Sequence, residues 1–226
     1  MAHLLIVEDD ELLRDGLSAQ LTQAGIPFEE VMVRFDSFDA DSAFKKGIQG
    51  INPVGKVPVL VDDGFAVWDT LAIAEYLTER FADKALWPAA TQARARARSV
   101  CAEMHSGFSA LRNHCPMNID ASLPEVGRIV WRDQAGVRAD IARIEAMWTG
   151  LLAEHGGPML FGGFSAADAY FAPVCSRIRT YALPVRPVVA AYVERVHALP
   201  GVRAWVGQAL VEHDFIGFDE PYRASR

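Results

Sequence analysis

At about 150 residues per domain, the 226-residue chain has room for one large domain or two small ones. Hydrophobic residues at 51% and charged residues at 23% are ordinary globular usage, which excludes a disordered chain, a collagen-like repeat or a disulfide scaffold. With 22 Lys and Arg against 29 Asp and Glu the net charge is −7, so the basic footprint of a nucleic-acid binder is missing and no nucleic-acid partner is expected.

The first apolar run, Leu4-Leu5-Ile6-Val7, meets Glu8-Asp9-Asp10-Glu11 at once. Neither a signal peptide nor a membrane span can be drawn there, and a cytoplasmic protein without a membrane partner is expected. A strand over residues 3–7 is followed by the stripe Leu12, Leu13, Leu17, Leu21 and Ala24, which Gly25 closes as a helix C-cap. Phe28 to Phe35 reads as a second strand, followed by an irregular polar connector. Lys56 to Trp68 then holds two apolar runs around Asp63-Gly64, a strong hairpin signal. The order to this point is β-α-β, connector, β-β. From Asp69 onward the pattern predicts helices over residues 70–81, about 91–112, about 125–155, 166–180 and 187–210. Pro88, Gly156-Gly157, Gly162-Gly163, Pro184, Pro187 and Pro200-Gly201 punctuate them. The composition switch at Trp87-Pro88 predicts a small α/β domain over residues 1–85 and an all-helical domain over 88–226. Cys101, Cys115 and Cys175 have unrelated spacings, giving neither a disulfide framework nor a metal-binding pair, and are read as reduced, buried thiols.

Two segments carry the candidate chemistry. In Asn52-Pro53-Val54-Gly55-Lys56-Val57-Pro58-Val59-Leu60, a proline at the start of a sheet strand removes a ladder donor. A cis Val57–Pro58 bond there would leave the Val57 backbone N–H and C=O available to an extended peptide pairing as an added strand. In Trp68-Asp69-Thr70-Leu71-Ala72-Ile73-Ala74-Glu75-Tyr76-Leu77, Asp69 suits a helix N-cap. The same helix terminus and the Thr70 hydroxyl can hold a ligand carboxylate, while the Asp69 carboxylate pairs with an ammonium group.

Taken together, these segments resemble the glutathione site of the cytosolic glutathione transferases, in the flavour of bacterial proteins similar to maleylacetoacetate isomerases. Gly162-Gly163-Phe164-Ser165-Ala166-Ala167-Asp168 resembles that family's helix-capping motif, and Ser165 with Asp168 forms an S-x-x-D capping box. The resemblance covers roughly residues 26–210. It implies an α/β thioredoxin-like N-terminal domain plus an all-α C-terminal domain, the glutathione transferase fold. Glutathione is the implied ligand, held by Val57, Pro58, Asp69 and Thr70, with no metal; a homodimer and a small electrophile lodged between the domains are also implied. Met104, His105, Phe108 and Arg112 are the candidates for that second pocket. Arg94 and Arg98, four apart, are read as a solvated or dimer-facing stripe rather than a ligand clamp.

One part of the family pattern is missing. Members place a Ser, Tyr or Cys just after the first strand to hydrogen-bond the glutathione sulfur. Here Glu8 to Asp15 contains no hydroxyl and no thiol; the first hydroxyl is Ser18, and every tyrosine lies at Tyr76 or later. The first 30 residues hold seven acids and one base, Arg14. Residues 3–25 resemble the opening strand and helix of response-regulator receiver domains, which implies a chimera, the alternative being a divergent transferase whose acidic start is coincidental. Weak or absent conjugation is expected. An active transferase or glutathione-dependent isomerase with another activator, and a non-catalytic scaffold with a receiver-derived segment, are the alternatives.

Overall fold

The computed structural model describes residues 4–8, 17–34, 36–37, 39–212, 215, 217 and 220–225. The first unit runs β1 (Leu4–Glu8), α1 (Leu17–Ala24), β2 (Glu29–Met32), α2 (Ala43–Gln49), β3 (Val59–Asp62), β4 (Phe65–Trp68) and α3 (Thr70–Arg80). Its sheet order is β2-β1-β3-β4. β1 lies parallel to β2 and antiparallel to β3, and β3 is antiparallel to β4. This is a thioredoxin-like arrangement, in which one right-handed β-α-β unit is extended by a hairpin. Asp63 and Gly64 both have positive φ, 48° and 88°, as a two-residue hairpin turn requires, and Asp62 pairs with Phe65 across it. Alternation along β3 distributes its side chains to two faces. Leu60 packs with Leu17, Leu21, Ile73 and Leu77 of α1 and α3, whereas Val59 packs with Phe44 and Ile48 of α2.

Gly25 ends α1 at φ 64°, its N–H donating to Thr22 O and the Ile26 N–H to Leu21 O, the paired bonds of a left-handed C-cap. Helix α2 lies inside the stretch read as an irregular connector. Ser42 caps it through the Lys45 N–H, and the Asp36 carboxylate accepts the N–H groups of Ala43 and Phe44, which holds that carboxyl below its ordinary range. The helix has seven residues with Gly47 among them, too short for a periodic signal.

The second unit is helical: α4 (Thr91–Ser106), α5 (Ser109–His114), α6 (Pro124–Asp133), α7 (Ala135–His155), α8 (Ala166–Thr180), α9 (Pro187–Ala198) and α10 (Pro200–Glu212). Three predicted helices are therefore each split in two. The helix over 91–112 breaks at Gly107-Phe108, where Phe108 takes a left-handed conformation at φ 56°. The helix over 125–155 breaks at Gln134, whose ψ of 94° is non-helical, and that over 187–210 at Leu199, held extended before Pro200. Helix α8 is buried along almost its whole length and forms the axis of this unit. Trp148 of α7 meets Phe171 edge-on at 5.3 Å and Tyr192 of α9 at 4.8 Å between ring centres. The units join where α10 crosses α1: a Cβ on Gly201 would lie 2.1 Å from the Ala19 carbonyl oxygen, so only glycine permits that approach.

Candidate functional site

The segment before β3 is folded by its own side chains. Asn52 is fully buried, donating from Nδ2 to Lys56 O at 2.6 Å and accepting the Val54 N–H at Oδ1 at 2.9 Å. Lys45 donates to the Gly55 carbonyl, and Gly55 turns at φ 62°. The Val57–Pro58 peptide is cis. Val57 precedes the paired register, which starts at Val59 opposite Val7 and Trp68.

At the N-terminus of α3, Asp69 stands at φ 71°, ψ 125°, outside helical geometry. Its Oδ1 accepts from Leu71 N at 2.9 Å and Ala72 N at 3.4 Å, so one carboxylate oxygen caps the helix. The other, Oδ2, faces His105 Nε2 at 3.7 Å on a half-exposed surface, which leaves it accessible to a cationic group. Thr70, next in the chain, is buried.

A cavity of about 90 Å³ opens beside Thr70. Its walls are Leu17 and Gln20 of α1, Thr70 of α3, Met104 and His105 of α4, Arg112 of α5 and Tyr170 of α8. The Arg112 guanidinium donates to Met104 O at 2.8 Å and His105 O at 3.3 Å, so it binds the carbonyl end of α4 and is fixed at the cavity wall. The structure thus brings Thr70 together with three of the four second-pocket candidates. Phe108 does not join them: its left-handed backbone turns the ring into the helical core. Val57, Pro58 and Asp69 are not on this wall.

Two wall residues escaped sequence reasoning. Gln20 follows Leu17 by three positions on the buried side of α1, is 1% exposed, and its Nε2 has no hydrogen-bond partner among the described residues. A polar residue within an apolar stripe was the available signal. Tyr170 sits inside the capped start of α8, where nothing in the sequence pattern marks it. Ser18 is buried and stands off the cavity wall. Asp9 to Asp15, most of the acidic cluster, lie outside the described residues, as does the side chain of Glu8.

The surrounding groups are structural. Asp168, fully buried, accepts the Ser165 N–H and hydroxyl in a capping box and reaches the Leu160 N–H and Tyr192 O–H. Arg98 of α4 binds Glu75 of α3 through two bonds of 2.7 and 2.6 Å, an interhelical pair in place of the expected solvated stripe, while Arg94 binds the Pro88 and Ala89 carbonyls. All three cysteines are free and buried. Burial pushes the Cys115 thiol up to about 12 and raises Cys101 and Cys175 further, so none supplies a thiolate near neutral pH. Among the described residues, no group of three or more His, Cys, Asp or Glu side chains is placed to hold a metal ion, and no helix is long and apolar enough to cross a membrane.

Comparison with known proteins places these features in one family. Residues 19–80 match the glutathione S-transferase N-terminal domain model and residues 129–208 the C-terminal domain model. A probable maleylacetoacetate isomerase of Caenorhabditis elegans is 37% identical over 41% of this chain and 42% of its own length. Glutathione S-transferase GstB of Escherichia coli is 26% identical over 81% of this chain and 87% of its own. A glutathione transferase homologue from a Burkholderia species, crystallised with bound glutathione, superposes with a TM-score of 0.68 at 25% identity, covering 92% of this chain and 98% of that one. The receiver resemblance gains no support: the family match begins inside that segment, and Leu17 and Leu21 pack into the same core as β3 and α3. The chain belongs to the glutathione S-transferase family.

Proposed function

We propose that this chain binds glutathione between the Val57-Pro58 segment and the N-terminus of α3, with a small electrophile in the adjoining cavity, and that it conjugates weakly or not at all. The observation that carries this reading is the continuity of the site. Asp69 and Thr70 stand side by side at one helix start, and Thr70 shares a cavity wall with Met104, His105 and Arg112. The tripeptide backbone pairs with the N–H and C=O of Val57 as an added strand. The ligand's free α-carboxylate takes the Thr70 hydroxyl at the start of α3, and its ammonium takes Asp69 Oδ2. The Burkholderia homologue crystallised with bound glutathione supports the ligand. As in other members, the working unit is a cytoplasmic homodimer, which light scattering on the purified chain would test.

Weak turnover follows from charge. A free cysteine thiol has a pKa of about 8.5, and activation near neutrality requires a donor or positive potential at the sulfur. Glu8 to Asp15 supplies neither hydroxyl nor thiol, and its carboxylates oppose thiolate formation. One observation favours the alternative of an active transferase or glutathione-dependent isomerase: Gln20 lines the cavity, and its amide Nε2 is a donor with no acceptor among the described residues.

Titration calorimetry tests the site. Asp69→Ala with Thr70→Ala should raise the dissociation constant for glutathione at least about tenfold, since each removes a bond to a charged group worth about 1.5–3 kcal/mol. An unchanged constant would show the assignment to be wrong. Ultraviolet titration of the bound thiol separates the two readings of activity: a pKa at or above that of free glutathione fits weak conjugation, and one at least about one unit lower fits an active enzyme.

A further inference from the structure

Arg112 lies on the wall of the cavity beside Thr70 and is fixed there from both ends. Its backbone N–H donates to Phe108 O at 3.0 Å, and the neighbouring Leu111 N–H donates to the Asp140 carboxylate of α7 at 2.8 Å, which pins α5 at this point. At the far end of the side chain, Nη2 donates to Met104 O at 2.8 Å and His105 O at 3.3 Å, and stands 3.7 Å from Met104 Sδ. Met104 and His105 line the same cavity, so the guanidinium is anchored on two of its walls. Those bonds use Nη2 alone. The residue is exposed, and its Nε and Nη1 have no hydrogen-bond partner among the described residues. A guanidinium carries donors only and stays positive at every pH at which proteins are folded. We propose that Arg112 binds a carboxylate in this cavity and thereby determines which ligands the site accepts. The proposal rests on the glutathione-site reading given above and supplies the charge partner that reading lacks.

The charge on the walls selects that class. Among the described residues, no acidic side chain lines the cavity, and Arg112 is the one lysine or arginine that does. One permanent positive charge suits a single negative charge, whereas a phosphate dianion would call for a second cation. The other basic residue on the wall, His105, already faces Asp69 Oδ2 at 3.7 Å. At about 90 Å³ the cavity is far below the roughly 300–1,000 Å³ of a pocket for a whole ligand, so it takes one end of a molecule. Two sources supply such an end. The first is the free α-carboxylate of glutathione, assigned above to Thr70 on the same wall. The second is a carboxylate carried by the electrophile. In either case the guanidinium is positioned before the ligand arrives, so little side-chain freedom is lost on binding.

Titration of the full chain with two ligand pairs, read in the parent, Arg112→Gln and Arg112→Lys, tests the proposal. The first pair, followed by calorimetry, is glutathione and its analogue with the γ-glutamyl α-carboxylate replaced by hydrogen. The second, followed by saturation transfer, is butanoate and butanamide, added with and without saturating glutathione. In at least one pair Arg112→Gln should weaken the carboxylate member about three- to tenfold, the worth of one partly solvated charge-assisted bond, and leave the neutral-ended member unchanged within about twofold. A loss in the first pair assigns the carboxylate to glutathione, and a loss in the second assigns it to the electrophile. Arg112→Lys, which keeps the charge, should retain part of the discrimination. A purely structural role for Arg112 would weaken both members of a pair alike. That result, or no loss in either pair, would overturn the proposal. A parent chain that binds no glutathione would refute the glutathione reading alone, because the butanoate pair on the free chain still decides the part played by Arg112.

Discussion

Replacing Asp168 tests the argument that one buried carboxylate holds the start of α8, and with it the Tyr170 wall of the cavity beside Thr70. Asp168 is 0% exposed and accepts from Leu160 N at 3.1 Å, Ser165 N at 2.9 Å, Ser165 Oγ at 3.3 Å and Tyr192 Oη at 2.9 Å. Burial alone raises its pKa, and those four bonds work the other way, favouring the charged form. In Asp168→Ala two backbone N–H groups and two hydroxyls lose their acceptor inside the protein. A buried unsatisfied donor costs about 1–3 kcal/mol, partly offset here because a carboxylate no longer has to be desolvated. The net expectation is about 3–5 kcal/mol, the range for removing one partner of a buried charged network. That is a large part of a total stability of about 5–15 kcal/mol. Tyr192→Phe removes only one donor and should cost about 1.5–3 kcal/mol. Urea denaturation followed by far-ultraviolet circular dichroism measures both. The reasoning fails if Asp168→Ala lies within about 1 kcal/mol of the parent, or if Tyr192→Phe costs as much as Asp168→Ala.

His197, held at about 4 against an ordinary 6.5 by burial, binds fewer protons folded than unfolded between those values. Its neutral form is matched to the fold above pH 6.5, and stability should fall by about 3 kcal/mol as pH drops towards 4. Denaturation profiles of the parent and His197→Gln should converge over that interval, and parallel profiles would refute the reading. A Cβ at Gly127 would lie 1.7 Å from the Tyr181 carbonyl oxygen, so Gly127→Ala must push α6 off the α8 terminus. It should cost at least about 1–3 kcal/mol by thermal or urea melting. Arg98→Ala, by contrast, breaks a bridge whose side chains are 40% and 35% exposed, and should change stability by no more than about 1 kcal/mol in the same assay.

Much of the candidate site was legible in the sequence because its signals are local. Asp63-Gly64 specifies a hairpin through the positive φ that both residues adopt. The Val57-Pro58 pair marks a strand start because proline lacks a donor. Asp69-Thr70 and Ser165 to Asp168 announce helix starts, since a short polar side chain satisfies orphan N–H groups within the same turn. The composition switch at Trp87-Pro88, past which only helices are predicted, is a local signal of the same kind.

The remaining features depend on partners far away in the chain. Helix α2 is held by Asp36 and by packing of Phe44 and Ile48 on Val59, none of which a seven-residue stretch declares. The break at Phe108 sends its ring into the core and frees Arg112 to bind the end of α4, so a residue expected in the pocket left it while another was fixed there. Gln20 and Tyr170 become neighbours of Thr70 only when α1, α3 and α8 meet. Sequence alone set the hairpin turn, the strand start and the capped helix starts through backbone conformation and short-range hydrogen bonds. Which side chains share a cavity was decided by tertiary packing, because that depends on the close approach of whole helices, as Gly201 allows against Ala19.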